Sequence, residues 1–82
     1  MSATLAQQIV EFISNKYSIN PEEIDTKESL VDQGVVDSLS FVEIALFLEK
    51  TCSVKINTDM ITFENFDSIE RIVAFVGSLP KV

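Results

Sequence analysis

Histidine and tryptophan are absent from this chain of 82 residues, cysteine occurs once, and glycine and proline occur twice each. Without histidine there is no side chain of near-neutral pKa to act as general base, no imidazole ligand for a metal and no Ser-His or Cys-His pair, which excludes hydrolysis by a conventional triad. A single cysteine, Cys52, excludes an internal disulfide and a multi-cysteine zinc site; it reads as a small buried apolar residue in a cytoplasmic protein. Basic side chains are also scarce, six against thirteen acidic ones, for a formal net charge of -7. Such a surface repels phosphate backbones and anionic membranes, so neither nucleic acid nor a membrane is an expected partner. It favours basic protein patches, and solubility alone accounts for it equally well. No run of residues approaches membrane-spanning length, and Met1 to Gln7 lacks the basic and apolar regions of a signal peptide.

What remains is 46% hydrophobic and includes six Phe. That suffices for one small core and no more, so residues 1–82 read as a single, monomeric domain without the walls of a catalytic cleft. Leu5, Ile9, Phe12 and Ile13 recur at helical spacing from Thr4 to Tyr17, with Thr4 and Gln7 placed for a capping box. Asn20 and Pro21 then suit the cap and first position of a short helical turn. A long connection to about Asp37 follows, pinned by Ile24, Leu30, Val31 and Val35 and turned at Gly34, where positive φ carries no steric cost. A second helix is expected from Asp37 or Ser38 to about Thr51, with Phe41, Ile44, Ala45 and Leu48 as its core stripe. At about 100° per residue, Leu39, Val42 and Leu46 fall on another side of it and make either a second buried face or a docking patch. Asn57-Thr58-Asp59 suits the start of a short helix over Met60 to Phe63, preceded by Val54-Lys55-Ile56 in loop. Asp67 and Glu70 offer a second capping box, opening a last helix whose core stripe is Ile69, Ile72, Val73 and Val76 and which Pro80 stops. The fold expected is all-α, a small bundle of three main helices and one short one.

The segment with chemistry in it is Gly34-Val35-Val36-Asp37-Ser38-Leu39-Ser40. It places Ser38 at or beside the N-terminus of the second helix, where an isolated Asp-Ser pair is an ordinary cap. The positive end of the helix dipole also stabilises an attached phosphodiester, and the flanking carboxylate suits a divalent metal arriving with a phosphate donor. In this frame the chain resembles the acyl and peptidyl carrier proteins, whose signature is a Gly-containing loop followed by Asp-Ser-Leu at the head of the second helix. The resemblance runs through the amphipathic first helix, the long loop, Glu43 and Glu49 in the second helix, and Phe63-Glu64-Asn65-Phe66-Asp67-Ser68-Ile69 before the last.

The resemblance implies a fold of acyl-carrier-protein type and a 4'-phosphopantetheine arm on Ser38, attached from coenzyme A by a phosphopantetheinyl transferase that Asp37 assists. The carrier then holds acyl or aminoacyl groups as thioesters and performs no catalysis itself. Its partners would be the transferase, a loading ligase or acyltransferase and downstream biosynthetic enzymes, docked on Val35, Val36, Leu39, Val42, Glu43, Leu46 and Glu49. Two residues separate Gly34 from Asp37, whereas housekeeping fatty-acid carriers look like Gly-X-Asp-Ser-Leu, and the second helix is less acidic than theirs. Among fatty-acid, polyketide and nonribosomal-peptide-type pathways, these departures look more like a discrete carrier in a specialised one. The alternative is an unmodified helical interaction domain in which Ser38 is a cap and the second stripe an interface. Asp32-Gln33-Gly34 lacks the alternating oxygen ligands and terminal Glu of a calcium loop.

Overall fold

The computed structural model of the chain describes residues 4–34 and 36–80, with Ser38 described by its backbone alone. Within them run α1 (Leu5–Tyr17), α2 (Ser38–Cys52), α3 (Phe63–Phe66) and α4 (Ile69–Gly77), with 3-10 turns at Pro21–Glu23 and Thr58–Met60. This is the expected all-α bundle of three main helices and one short one. No helix among the described residues is long and apolar enough to cross a membrane.

The first helix begins as its sequence dictates. Thr4 Oγ1 accepts from the Gln7 amide at 3.1 Å, and Gln7 Oε1 accepts from the Thr4 amide at 3.0 Å, so two donors that the helix itself leaves unpaired are satisfied. At the other end Ser18 takes the left-handed conformation, φ 55°, which lets the amides of Ser18 and Ile19 both return to the Ser14 carbonyl. Glycine usually occupies that position. In a chain so poor in glycine, Ser18 and Ser53 (φ 54°) close α1 and α2 instead.

The long first loop is ordered by its own polar groups. Asn20 Oδ1 caps the turn at Glu22, and Asp25 Oδ1 accepts from the amides of Lys27 and Glu28. Gln33 bridges the loop, donating to the carbonyls of Asp25 and Glu28 and accepting from the Asp25 amide. Gly34 turns the chain with φ 75°. These bonds hold Ile24 and Leu30 in the core and Val31 at its margin; the expected pin Val35 lies outside the described residues.

Two expectations for the second half are corrected. Ser68, not Asp67, caps α4, accepting from the Arg71 amide at 3.1 Å. Asp67 is drawn to the first loop, where its carboxylate accepts from Ser29 Oγ at 2.7 Å and its carbonyl from the Leu30 amide at 2.6 Å. The segment expected to be helical over Met60 to Phe63 divides into a 3-10 turn, whose Asn57 makes no side-chain cap, and α3, which Thr62 caps at the Asn65 amide. In the first half, Phe12, like Leu5, is only partly buried; it packs against the margin of the core and stacks on Phe47, with ring centroids 4.5 Å apart.

The core joins Ile9 and Ile13 of α1, the Phe41, Ile44, Ala45 and Leu48 stripe of α2, Val54 and Ile56, Phe66 of α3, and Ile69, Ile72 and Val76 of α4. Phe66 is its junction. Its ring lies 5.9 Å from Phe41 and 5.4 Å from Phe75, tying α3 to α2 and α4. Phe66→Ala should therefore destabilise by roughly 3–5 kcal/mol, and Phe12→Ala by clearly less, in denaturant titrations of both variants. Ser53→Gly should raise stability by about 0.5–1 kcal/mol in the same titration, because relief of the left-handed conformation outweighs the added freedom of the unfolded chain.

Candidate functional site

The head of α2 is fixed from both sides. Upstream, the Val36 amide reaches the Leu30 carbonyl at 3.4 Å and the Val36 side chain enters the core, so the chain is anchored one residue before the cap. Asp37 then adopts extended geometry and caps the helix. Its Oδ1 accepts from the Ser40 amide at 3.1 Å and the Ser40 hydroxyl at 3.0 Å, while Ser40 Oγ accepts from the Asp37 amide at 3.4 Å. The arrangement is a capping box with Ser where Glu or Gln is usual. Downstream, the Tyr17 hydroxyl at the end of α1 donates to Ser40 Oγ. Ser38 is the first residue of the 15-residue α2, between the exposed residues Asp37 and Leu39.

Along α2, Leu39 is 76% exposed, Val42 46% and Leu46 57%. These residues form an outward apolar stripe on the side of the helix away from Phe41, Ile44, Ala45 and Leu48. Phe63, 54% exposed on α3, makes an edge-to-face contact with Phe41 at 5.4 Å. Of the other residues expected on this face, Val35 lies outside the described residues. Val36 is only 7% exposed, so it supports the face from below and is not part of its surface.

The two acidic residues expected on the rim already have partners. Glu43 Oε2 lies 2.8 Å from Lys16 Nζ, yet this shielded oxygen has no well-aligned hydrogen bond among the described residues. The short distance makes the contact an ion pair, because charge attraction does not depend on alignment. The Glu43 carboxylate, in close contact with it, holds the Lys16 ammonium above its ordinary pKa. Glu49 Oε2 accepts from the Ile56 amide at 3.0 Å and fastens the segment that follows α2. The stripe is therefore flanked by less unpaired acidity than the composition implies.

Tyr17, Ser40 and Phe63 belong to this neighbourhood and were not legible as site residues. Tyr17 and Ser40 meet across 23 positions, a separation that no helical spacing reports. Phe63 was visible as a helix end and as the start of the segment before the last helix that carries the resemblance, not as part of this face.

This geometry is an all-helical domain with a serine at the head of its second long helix. A family profile described as the phosphopantetheine attachment site matches residues 7–76, and the chain belongs to that family. The meromycolate extension acyl carrier proteins of Mycobacterium bovis and of two strains of Mycobacterium tuberculosis are each 35% identical to it over 73 residues. Those alignments take in 89% of this chain and 62% of each relative, so the chain spans about three-fifths of the length of these curated relatives.

The cofactor of the family is covalent 4'-phosphopantetheine, and the residues present fit it. A serine stands first in a helix of 15 residues, where the unpaired amides and dipole favour an attached phosphate, and an exposed carboxylate precedes it. Asp37→Ala should cost about 1–2 kcal/mol in thermal unfolding, since it removes the cap and leaves the buried Ser40 hydroxyl without its acceptor; Asp37→Asn should keep most of the stability.

Proposed function

We propose that residues 1–82 act as one cytoplasmic carrier domain that receives 4'-phosphopantetheine on Ser38 and holds acyl or aminoacyl groups for other enzymes, with no catalysis of its own. The observation that carries this reading is the position of Ser38, first in α2 within Asp37-Ser38-Leu39, in a chain that matches the phosphopantetheine attachment family. When bound, the arm supplies a thiol that forms thioesters with the cargo.

In the modification, the Ser38 oxygen bonds to the phosphorus that bears the pantetheine group and the phosphoanhydride bond of coenzyme A breaks. The product 3',5'-adenosine bisphosphate leaves, and the serine proton passes to a base of the transferase. No electrons are exchanged, and divalent metal enters with coenzyme A. The head of α2 holds the hydroxyl-bearing residue in one backbone conformation, Asp37 assists the transferase, and the helix amides favour the new phosphodiester.

The relatives are carriers of meromycolate extension by name, which supports a specialised pathway with acyl cargo. Partners of this kind are a phosphopantetheinyl transferase, a loading ligase or acyltransferase and downstream enzymes of the same pathway. They read Leu39, Val42 and Leu46, which stand in the open beside Ser38.

Incubation with coenzyme A, magnesium and a broad-specificity phosphopantetheinyl transferase should raise the intact mass by one phosphopantetheine unit, and Ser38→Ala should lose the gain while keeping its helical circular dichroism. No gain on the parent chain would favour the unmodified interaction domain. Val42→Asp and Leu46→Asp should unfold near the parental temperature yet accept the arm or its cargo more slowly. Outright unfolding would make the stripe part of the core, and parental transfer rates would remove it from the docking surface.

A further inference from the structure

Ser40 is 3% exposed and all the bonding capacity of its hydroxyl is used: it accepts from the Tyr17 hydroxyl and the Asp37 amide, and its one hydrogen goes to Asp37 Oδ1. This arrangement fixes the direction of the chain of bonds. Because Tyr17 donates into Ser40 Oγ, the Ser40 hydrogen points away from Tyr17, and donation into one end of such a chain strengthens the bond at the other. Both bonds onto Asp37 fall on Oδ1 of an exposed residue, so the capacity of the second carboxylate oxygen is not consumed by the network.

We propose that Tyr17 and Ser40 are positioning residues for the modification of Ser38, holding the Asp37 carboxylate in the orientation that the transferase uses. The inference rests on the carrier reading given above. It joins the C-terminal end of α1 to the attachment site, so the transferase meets a carboxylate set by two helices. Neither residue carries the reacting hydroxyl. Their effect passes through Asp37, and this sets them apart from residues that merely hold the fold.

The test is a double-mutant cycle on the full chain with coenzyme A, magnesium and a phosphopantetheinyl transferase, at a temperature where circular dichroism shows every variant folded. Tyr17→Phe keeps the ring and loses the donor, and should lower kcat/KM about fivefold, the effect of one neutral hydrogen bond. On an Asp37→Ala background the same change should have almost no further effect, because its route is already gone. Ser40→Ala should repeat the pattern, and it decides the matter if Tyr17→Phe does not fold. A readout independent of transfer is the exchange of the Ser40 amide hydrogen, which Asp37 Oδ1 and the Asp37 carbonyl share and which should quicken in Tyr17→Phe as the carboxylate loosens. A parental rate, an equal loss in both backgrounds, or unchanged protection of that amide would overturn the inference and leave the carrier reading standing. Absence of any mass gain on the parent chain, or a gain that survives Ser38→Ala, would remove the carrier reading and this inference with it.

Discussion

Burial of one face of α2 sets everything that the domain displays. Phe41, Ile44, Ala45 and Leu48 must leave water together, and they meet α1, α3 and α4 in doing so. Once the helix is rotated to bury them, its 100° step leaves Leu39, Val42 and Leu46 in solvent without any further contact being required. The position of Ser38 at the first turn is set by the Asp37 cap, with Val36 anchoring the chain just upstream. Packing and presentation are two sides of one helix, and the two kinds of residue alternate along it.

A domain this small has little regular structure to spend on its connections. Its long first loop is held instead by side chains that imitate backbone partners, above all Gln33 across the loop and Asp67 from the α3–α4 junction. The four-residue α3 is too short to be stable alone; Phe66 gives it a reason to form by joining the aromatic contacts between α2 and α4. Pairing of Glu43 with Lys16 and of Glu49 with the Ile56 amide diverts acidity into the fold. The acidic composition therefore describes the whole surface better than it describes the face beside Ser38.

Much of this was legible in the sequence, for identifiable reasons. Local patterns carried it: the Thr4–Gln7 box, Asn20 before Pro21, Gly34 at the turn and the two stripes of α2 all depend on residues within a few positions of one another. What escaped was decided at a distance. Asp67 was a plausible cap for α4 until Ser29 and Leu30 claimed it, and the stacking of Phe12 on Phe47 at the margin of the core joins residues 35 positions apart. Val36 was placed on the docking face because it adjoins the signature, but the turn at Gly34 sends it inward. The bond between Tyr17 and Ser40 left no trace in spacing at all.

The central claim is that the head of α2 presents Ser38, and not another hydroxyl, for modification. Cleavage after lysine of the chain recovered from the transferase reaction yields a peptide spanning 28–50, which contains Ser29, Ser38 and Ser40. Tandem mass spectrometry of that peptide places the added group by the fragments that part Ser38 from Ser40. The account predicts the whole added mass on Ser38. Phosphopantetheine found on Ser29, on Ser40 or outside this peptide would contradict it.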